Sequence, residues 1–205
     1  VQFSYCQRCE AKLVSHLFCF ECSNFQPLSS SNDYFSTLGV PPVYEMDQNL
    51  LEERFQQIVG ELHPDFHMNS SKEDQRLSER ASTLLNQAFE VLKDPFKRAK
   101  YLITMRGKDF EWNERVLPQG FLEEMFSLQE QLDEMEENKD DEGVKQMLDM
   151  MENQRENLKF ELVRSFKLLE NVENPSEVIE EIQKNLNAEH YLQRLLERIP
   201  DEETS

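Results

Sequence analysis

Positive charge is in short supply. The chain has 22 Lys and Arg against 41 Asp and Glu, a formal net charge of -19. So acidic a surface excludes a general nucleic-acid binder, which draws affinity from basic side chains that release counterions from phosphates. Glycine is also scarce, with five among 205 residues and no Gly-rich loop, which argues against a P-loop or dinucleotide-binding turn. No apolar run reaches the eighteen residues or so that a membrane helix needs. Cysteine is absent after Cys22, so no disulfide scaffold organises the chain, and the first residues show no signal-peptide pattern. What is present is 38% hydrophobic residues with 14 Phe, enough for buried cores. The many Glu, Gln, Leu and Met point to helices.

The chain reads as three segments. Residues 1–30 hold all four cysteines and end in the linker-like stretch Gln26-Pro27-Leu28-Ser29-Ser30-Ser31. Residues 31–107 read as four helices. The first is short and stopped by Gly39 and Pro41-Pro42. Asp47 caps the second, whose apolar stripe Leu50, Leu51, Phe55, Ile58, Val59 and Leu62 runs to a stop at Pro64. Ser70-Ser71-Lys72-Glu73-Asp74 offers a capping box in two registers before the stripe Leu77, Ala81, Leu84, Leu85, Ala88 and Leu92. Asp94-Pro95 opens the fourth. The two longest helices are expected antiparallel across an exposed loop. Residues 108–205 read as three long helices, near 118–138, 142–170 and 175–199, with Pro118 and Pro175 at two starts and Pro200 after the last. Stripes such as Met147, Met151, Leu158, Leu162 and Ile182, Leu186, Leu195, Ile199 suggest a bundle. Trp112 is expected to anchor the middle segment to the last one.

The cysteines follow the pattern Cys6-x-x-Cys9, nine residues, Cys19-x-x-Cys22. Two close pairs supply four thiolates, enough to close a tetrahedral shell about 2.3 Å from zinc. With sulfur in all four positions no water is left to activate, so such a site is structural and lends folding energy to a segment too short for its own core. Iron suits the same shell. A redox dithiol is the remaining reading. His16, between the pairs, is read as a surface residue.

His63-Pro64-Asp65 lies between the two long helices of the middle segment. About one chain in forty of this length would hold these three letters by chance, so their setting carries the weight. A short helix, an amphipathic helix running into the His, and an antiparallel helix after a polar loop together resemble the J-domain family of co-chaperones. Physically, Pro64 ends the helix and holds His63 and Asp65 outward on a rigid turn. Asp65 is then a carboxylate suited to a partner's arginine. No nucleophile or further acid–base group accompanies them, so no catalytic residues are assigned. The resemblance implies that His63, Pro64 and Asp65 engage a DnaK/HscA-type heat-shock chaperone and stimulate its ATP hydrolysis. Two departures stand out. The helix before the loop carries Arg54 against Glu52, Glu53 and Glu61, where J-domains present basic residues; Lys97, Arg98 and Lys100 are expected to take over part of that role. A Gly/Phe-rich linker is also missing, which marks a specialised member.

In the helix after Pro118, Phe121, Met125, Leu128, Leu132 and Met135 fall within about 40° of one direction, a sufficient core stripe. Leu122 and Phe126 lie roughly 100° and 140° from it, on the side of Glu130, Asp133, Glu134 and Glu137. They are either a partner surface or ground covered by the middle segment. A J-domain followed at once by this helix and a three-helix bundle is similar to the HscB-type co-chaperones of iron–sulfur cluster assembly, some of which carry a tetracysteine head. That resemblance implies binding of the cluster scaffold protein through Leu122, Phe126, Glu130 and Glu134, with Tyr191 as an aromatic on the last helix. Glu123 and Ser127 depart from the pattern, standing where an apolar residue and an acid are expected. His67 and His190 are read as surface or satisfied histidines.

The sequence therefore leads to an all-α protein: a J-domain helical hairpin plus a C-terminal three-helix bundle, preceded by a small irregular or β head binding zinc, or iron, through Cys6, Cys9, Cys19 and Cys22. The expected function is that of a non-enzymatic co-chaperone with a chaperone ATPase and a scaffold protein as partners, and neither nucleic acid nor membrane. The compartment would be a reducing intracellular one, cytoplasmic in a bacterium and the mitochondrial matrix in a eukaryote. The rival readings are a zinc-ribbon adaptor in transcription or translation and a Cys-x-x-Cys redox protein.

Overall fold

The computed structural model describes residues 5–27, 33–68, 70–108, 112–113 and 115–199, with the side chains of Pro64 and Glu136 left aside. Pro200 and part of the expected linker, residues 28–31, lie outside the described residues. A two-stranded antiparallel ribbon, β1 (Phe18–Cys19) and β2 (Asn24–Phe25), is followed by α1 (Tyr34–Leu38), α2 (Gln48–Leu62), a 3₁₀ turn (Pro64–His67), α3 (Lys72–Lys93) and α4 (Pro95–Met105). Then come α5 (Phe121–Asn138), α6 (Asp141–Leu169) and α7 (Ser176–Leu196). The mainly helical class expected from the sequence, with a small cysteine-bearing strand region ahead of it, is what is found. No described helix is long and apolar enough to cross a membrane.

Helix ends fall where the capping chemistry puts them. Asp47 accepts from the Asn49 and Leu50 amides at the start of α2. Ser71, the second of the two offered registers, caps α3 by accepting from Asp74 N–H. Asp94 accepts from Phe96 and Lys97 amides, both at 2.8 Å, and so opens α4.

The chain divides into two units, Val1–Arg98 and Ala99–Ser205. In the first, Leu51, Ile58 and Leu62 of α2 and Ala81, Leu85, Ala88 and Leu92 of α3 are fully buried, together with Phe35 and Leu38 of α1. The cysteine head belongs to this unit. Leu17 and Phe18 are fully buried, the His16 amide donates to Ser36 O at 3.2 Å, and buried Ser15 Oγ donates to Thr37 O at 2.6 Å. The head thus satisfies carbonyls at the end of α1 that the helix cannot pair itself. This docking requires glycine at position 39. Gly39 sits at φ 67°, and a Cβ there would lie 2.2 Å from the Val14 carbonyl oxygen.

In the second unit, Phe121, Met125 and Leu132 of α5 are buried, as are Met147, Met151, Leu158 and Leu162 of α6 and Ile182, Leu186, Leu192 and Leu195 of α7. Arg155 of α6 reaches Glu189 of α7 at 3.0 Å and also donates to Gln193 Oε1. Asn187, 1% exposed, donates to Val116 O at 2.8 Å and accepts from Asn113 N–H, pinning the segment before α5 to α7. Trp112 is held on α7 as well, edge-on to His190 with the Arg194 guanidinium over its ring.

Gly39→Ala is expected to destabilise the first unit by at least about 1–2 kcal/mol from the left-handed backbone alone, with the Val14 clash adding to it. Thermal unfolding should show a midpoint lowered by roughly 5 °C or more.

Candidate functional site

Three sets of residues carry chemistry. The first is the sulfur cluster. The turn after each Cys-x-x-Cys pair contains a non-glycine residue at positive φ, Glu10 at 59° and Ser23 at 52°. These tight turns let both sulfurs of a pair face one point. Cys6 Sγ lies 3.6 Å from Cys22 Sγ, and Cys9 Sγ lies 3.6 Å from Cys19 Sγ. All four sulfurs fall within 4.8 Å of one another, and among the described residues they form the cluster able to hold a metal ion. A regular tetrahedron with bonds of about 2.3 Å has edges near 3.8 Å, so two edges already match and none is covalently closed. Burial works to raise the Cys6 thiol, but the amides of Cys9 and Arg8 and the neighbouring thiols outweigh it and hold Cys6 down at about 6. Burial, and hydrogen bonds with the other three thiols, push Cys22 up to about 12. Arg8 N–H (3.3 Å) and Gln26 Nε2 (3.5 Å) point at the Cys6 sulfur and favour its thiolate. A coordinated cation replaces the remaining protons. The donor set fits a structural metal ion. His16 is half-buried and stands outside the cluster.

The second set is the loop after α2. His63 terminates the helix with φ -59° and ψ 128°, and Pro64 opens the 3₁₀ turn. The side chains of His63 and Asp65 are 53% and 72% exposed, and His63 Nδ1 accepts from Asp65 N–H at 3.3 Å. The same Nδ1 lies 3.5 Å from the Asp65 carboxylate. The base of the loop is tightly tied. Leu62 O accepts from Ser78 Oγ at 2.6 Å and Ser82 Oγ at 3.0 Å. Gln75 Nε2 donates to Met68 O at 2.8 Å and Ser70 O at 3.2 Å. His67, read from the sequence as an ordinary histidine, donates from Nε2 to Glu61 O at 2.9 Å and packs on Phe25 of β2, ring centroids 4.9 Å apart. Phe66 and Met68 are exposed beside the tripeptide.

One expectation is corrected here. Arg98 cannot serve a partner: it is 5% exposed, donates to Tyr44 O at 2.9 Å and to Leu92 O, and lies over the Tyr44 ring. A guanidinium that fills two buried carbonyls is structural. Its neighbours Lys97 and Lys100 do face solvent, while the open face of α2 carries Glu52, Glu53, Gln56, Gln57 and Glu61.

The third set lies on α5. Phe121, Met125, Leu128 and Leu132 form the buried stripe, as the helical phase requires. Leu122 is 36% and Phe126 55% exposed, and Glu130 and Glu134 are exposed further along the helix. Tyr191 is half-buried, its ring edge-on to Phe121 at 6.1 Å, so it packs against the start of α5.

Residues 33–101 match the DnaJ domain family. The whole chain is similar in fold to the solved structure of the human co-chaperone protein HscB, with a TM-score of 0.76, 24% identity, and 95% of this chain and 96% of that one covered. It is also similar to the chaperone HscB from Vibrio cholerae, with a TM-score of 0.67, 23% identity, and 81% and 95% covered. The chain carries a DnaJ domain within an HscB-like fold.

Protein purified without chelator should carry about one metal ion per chain, measured by elemental mass spectrometry. Cys19→Ser should abolish that content. Gln26→Ala, which removes a donor to a ligand sulfur, should weaken the affinity about 10–100-fold in a chelator competition.

Proposed function

We propose that the chain is a co-chaperone of iron–sulfur cluster assembly, one that binds a cluster scaffold protein and presents it to a DnaK/HscA-type heat-shock chaperone. The observation that carries this reading is the exposed, doubly anchored His63-Pro64-Asp65 loop of a DnaJ domain, set in a chain that follows the HscB fold over 95% of its length. In this reading His63, Pro64 and Asp65 address the chaperone's ATPase. The Asp65 carboxylate suits a guanidinium on the partner, and a loop whose base is fixed loses little conformational entropy on binding.

The scaffold is held on α5. Leu122 and Phe126 supply apolar contact area, and Glu130 and Glu134 beside them suit basic side chains across the interface. Tyr191 supports that face from beneath through Phe121. Hydrolysis of ATP by the chaperone then tightens its grip on the scaffold and favours release of the assembled cluster. The protein contributes binding and timing; the bond cleavage is the chaperone's.

The four-cysteine head holds zinc in this reading. The ion closes a segment of about 25 residues, too short to build a core of its own. Sustained thiolate coordination requires a reducing compartment, bacterial cytoplasm or mitochondrial matrix.

The deciding experiment is steady-state ATP hydrolysis by a DnaK/HscA-type chaperone with scaffold protein present. The parent chain should stimulate the rate, and His63→Gln should abolish the stimulation while leaving scaffold binding intact. Phe126→Ala should do the reverse, raising the scaffold Kd about ten-fold or more by calorimetry while scaffold-independent stimulation persists. A parent chain that leaves the rate unchanged, with chaperone and scaffold shown to be competent, would sink the proposal.

A further inference from the structure

The cysteine head and the His-Pro-Asp loop meet at one side chain. Phe25 closes β2, is 8% exposed, and is braced edge-on by Phe18, the residue paired with it across the ribbon. The His67 imidazole lies against the same ring, 4.9 Å between centroids. Phe25 is not one of the four sulfur ligands, and His67 lies outside the His63-Pro64-Asp65 tripeptide. Their contact nevertheless joins two devices. On the head side, β1 ends in Cys19 and the turn to β2 contains Cys22, so the ribbon that positions Phe25 is closed by two of the four sulfur ligands. On the loop side, His67 is the last residue of the 3₁₀ turn and reaches back six residues to the carbonyl of Glu61. That bond draws the end of the turn onto the end of α2.

We propose that Phe25 and His67 are positioning residues for chaperone engagement: the metal-closed head holds the His67 ring, and the held ring fixes the conformation in which His63 and Asp65 are presented. The inference rests on the reading above that this loop engages a chaperone. His67 is half-buried, with its Nε2 side open to solvent. The His67–Glu61 hydrogen bond is solvent-accessible, so water competes for both groups and the bond alone contributes little net stability. An aromatic wall removes rotamers in which the ring swings away and shields one side from water. The head therefore turns a weak bond into a persistent clasp.

The test reads the clasp directly. The Phe66 amide donates to His63 O and the Ser70 amide to His67 O, so their hydrogen exchange, followed by NMR, reports closure of the loop. The Cys6 amide, bonded to Ala11 O, and the Gln26 amide, bonded to Leu17 O, report the integrity of the head in the same spectra. Phe25→Ala and His67→Ala in the full, metal-loaded chain should each speed exchange at Phe66 and Ser70 about five-fold, with the head amides and the metal content unchanged. The double variant should be no faster than either single one, because both act through one contact. In the chaperone assay the concentration for half-maximal stimulation should rise about five-fold while the maximal rate holds.

Loop exchange equal to the parent's in both variants would overturn the inference, and so would strictly additive effects in the double variant. Should Phe25→Ala lose the metal, His67→Ala decides by the same criterion, since it alters no residue of the head. A parent chain that fails to stimulate the chaperone removes the functional reading, while the exchange data still decide whether head and loop are coupled.

Discussion

A helix stopped by proline leaves its last carbonyls without the amides that a further turn would bring, and the region around position 63 is arranged by that shortage. In a continuing helix Glu61 O and Leu62 O would accept from the amides of residues 65 and 66. Here the Asp65 amide turns to His63 Nδ1 and the Phe66 amide to His63 O. Leu62 O is taken over by Ser78 and Ser82 of α3, and Glu61 O by His67. Leaving such a carbonyl unmet and buried costs about 1–3 kcal/mol. The Ser78 and Ser82 hydroxyls on Leu62 O are therefore fixed requirements, whereas water can stand in at the exposed Glu61 O. The two hydroxyls tie α2 to α3 at the mouth of the hairpin and leave the side chains of His63 and Asp65 facing solvent.

The cysteine head answers a different shortage. It is too short to bury a core of its own, and it solves the problem twice. Its sulfurs converge on one point, and its backbone lends hydrogen bonds to the exposed end of α1. The second solution depends on Gly39, where any side chain would strike the Val14 carbonyl. Head and hairpin consequently fold as parts of one unit, although a stretch rich in Pro and Ser separates them in sequence.

Much of this was legible in the amino-acid order because it depends on near neighbours. The Cys-x-x-Cys spacing forecast the convergence of four sulfurs. The caps Asp47, Ser71 and Asp94 forecast three helix starts, and the 100° periodicity placed Phe121, Met125, Leu128 and Leu132 inside with Leu122 and Phe126 outside. Less legible were features that depend on contacts far apart in the chain. Arg98 was read as a surface cation because nothing local announces that its guanidinium fills the carbonyls of Tyr44, 54 positions away, and Leu92. His67 carried no signal of its clasp, since its ring partner Phe25 comes from another segment. Trp112 was expected to bridge two segments, and its described contacts are with His190 and Arg194 of α7. The 3₁₀ turn itself, a single turn of four residues, is too short for any periodicity to show.

The sulfur cluster is lopsided. Cys6 and Cys19 are buried, Cys22 is half-covered and Cys9 is exposed. Were the four sulfurs to hold an ion, an incoming donor would find its open flank on the Cys9 side. A strong chelator or a competing thiol can approach there while the other three sulfurs keep their hold. The residence time of an ion held here would be governed by access at one corner, and its equilibrium affinity by all four sulfurs. The head can be thermodynamically secure and kinetically exchangeable at once.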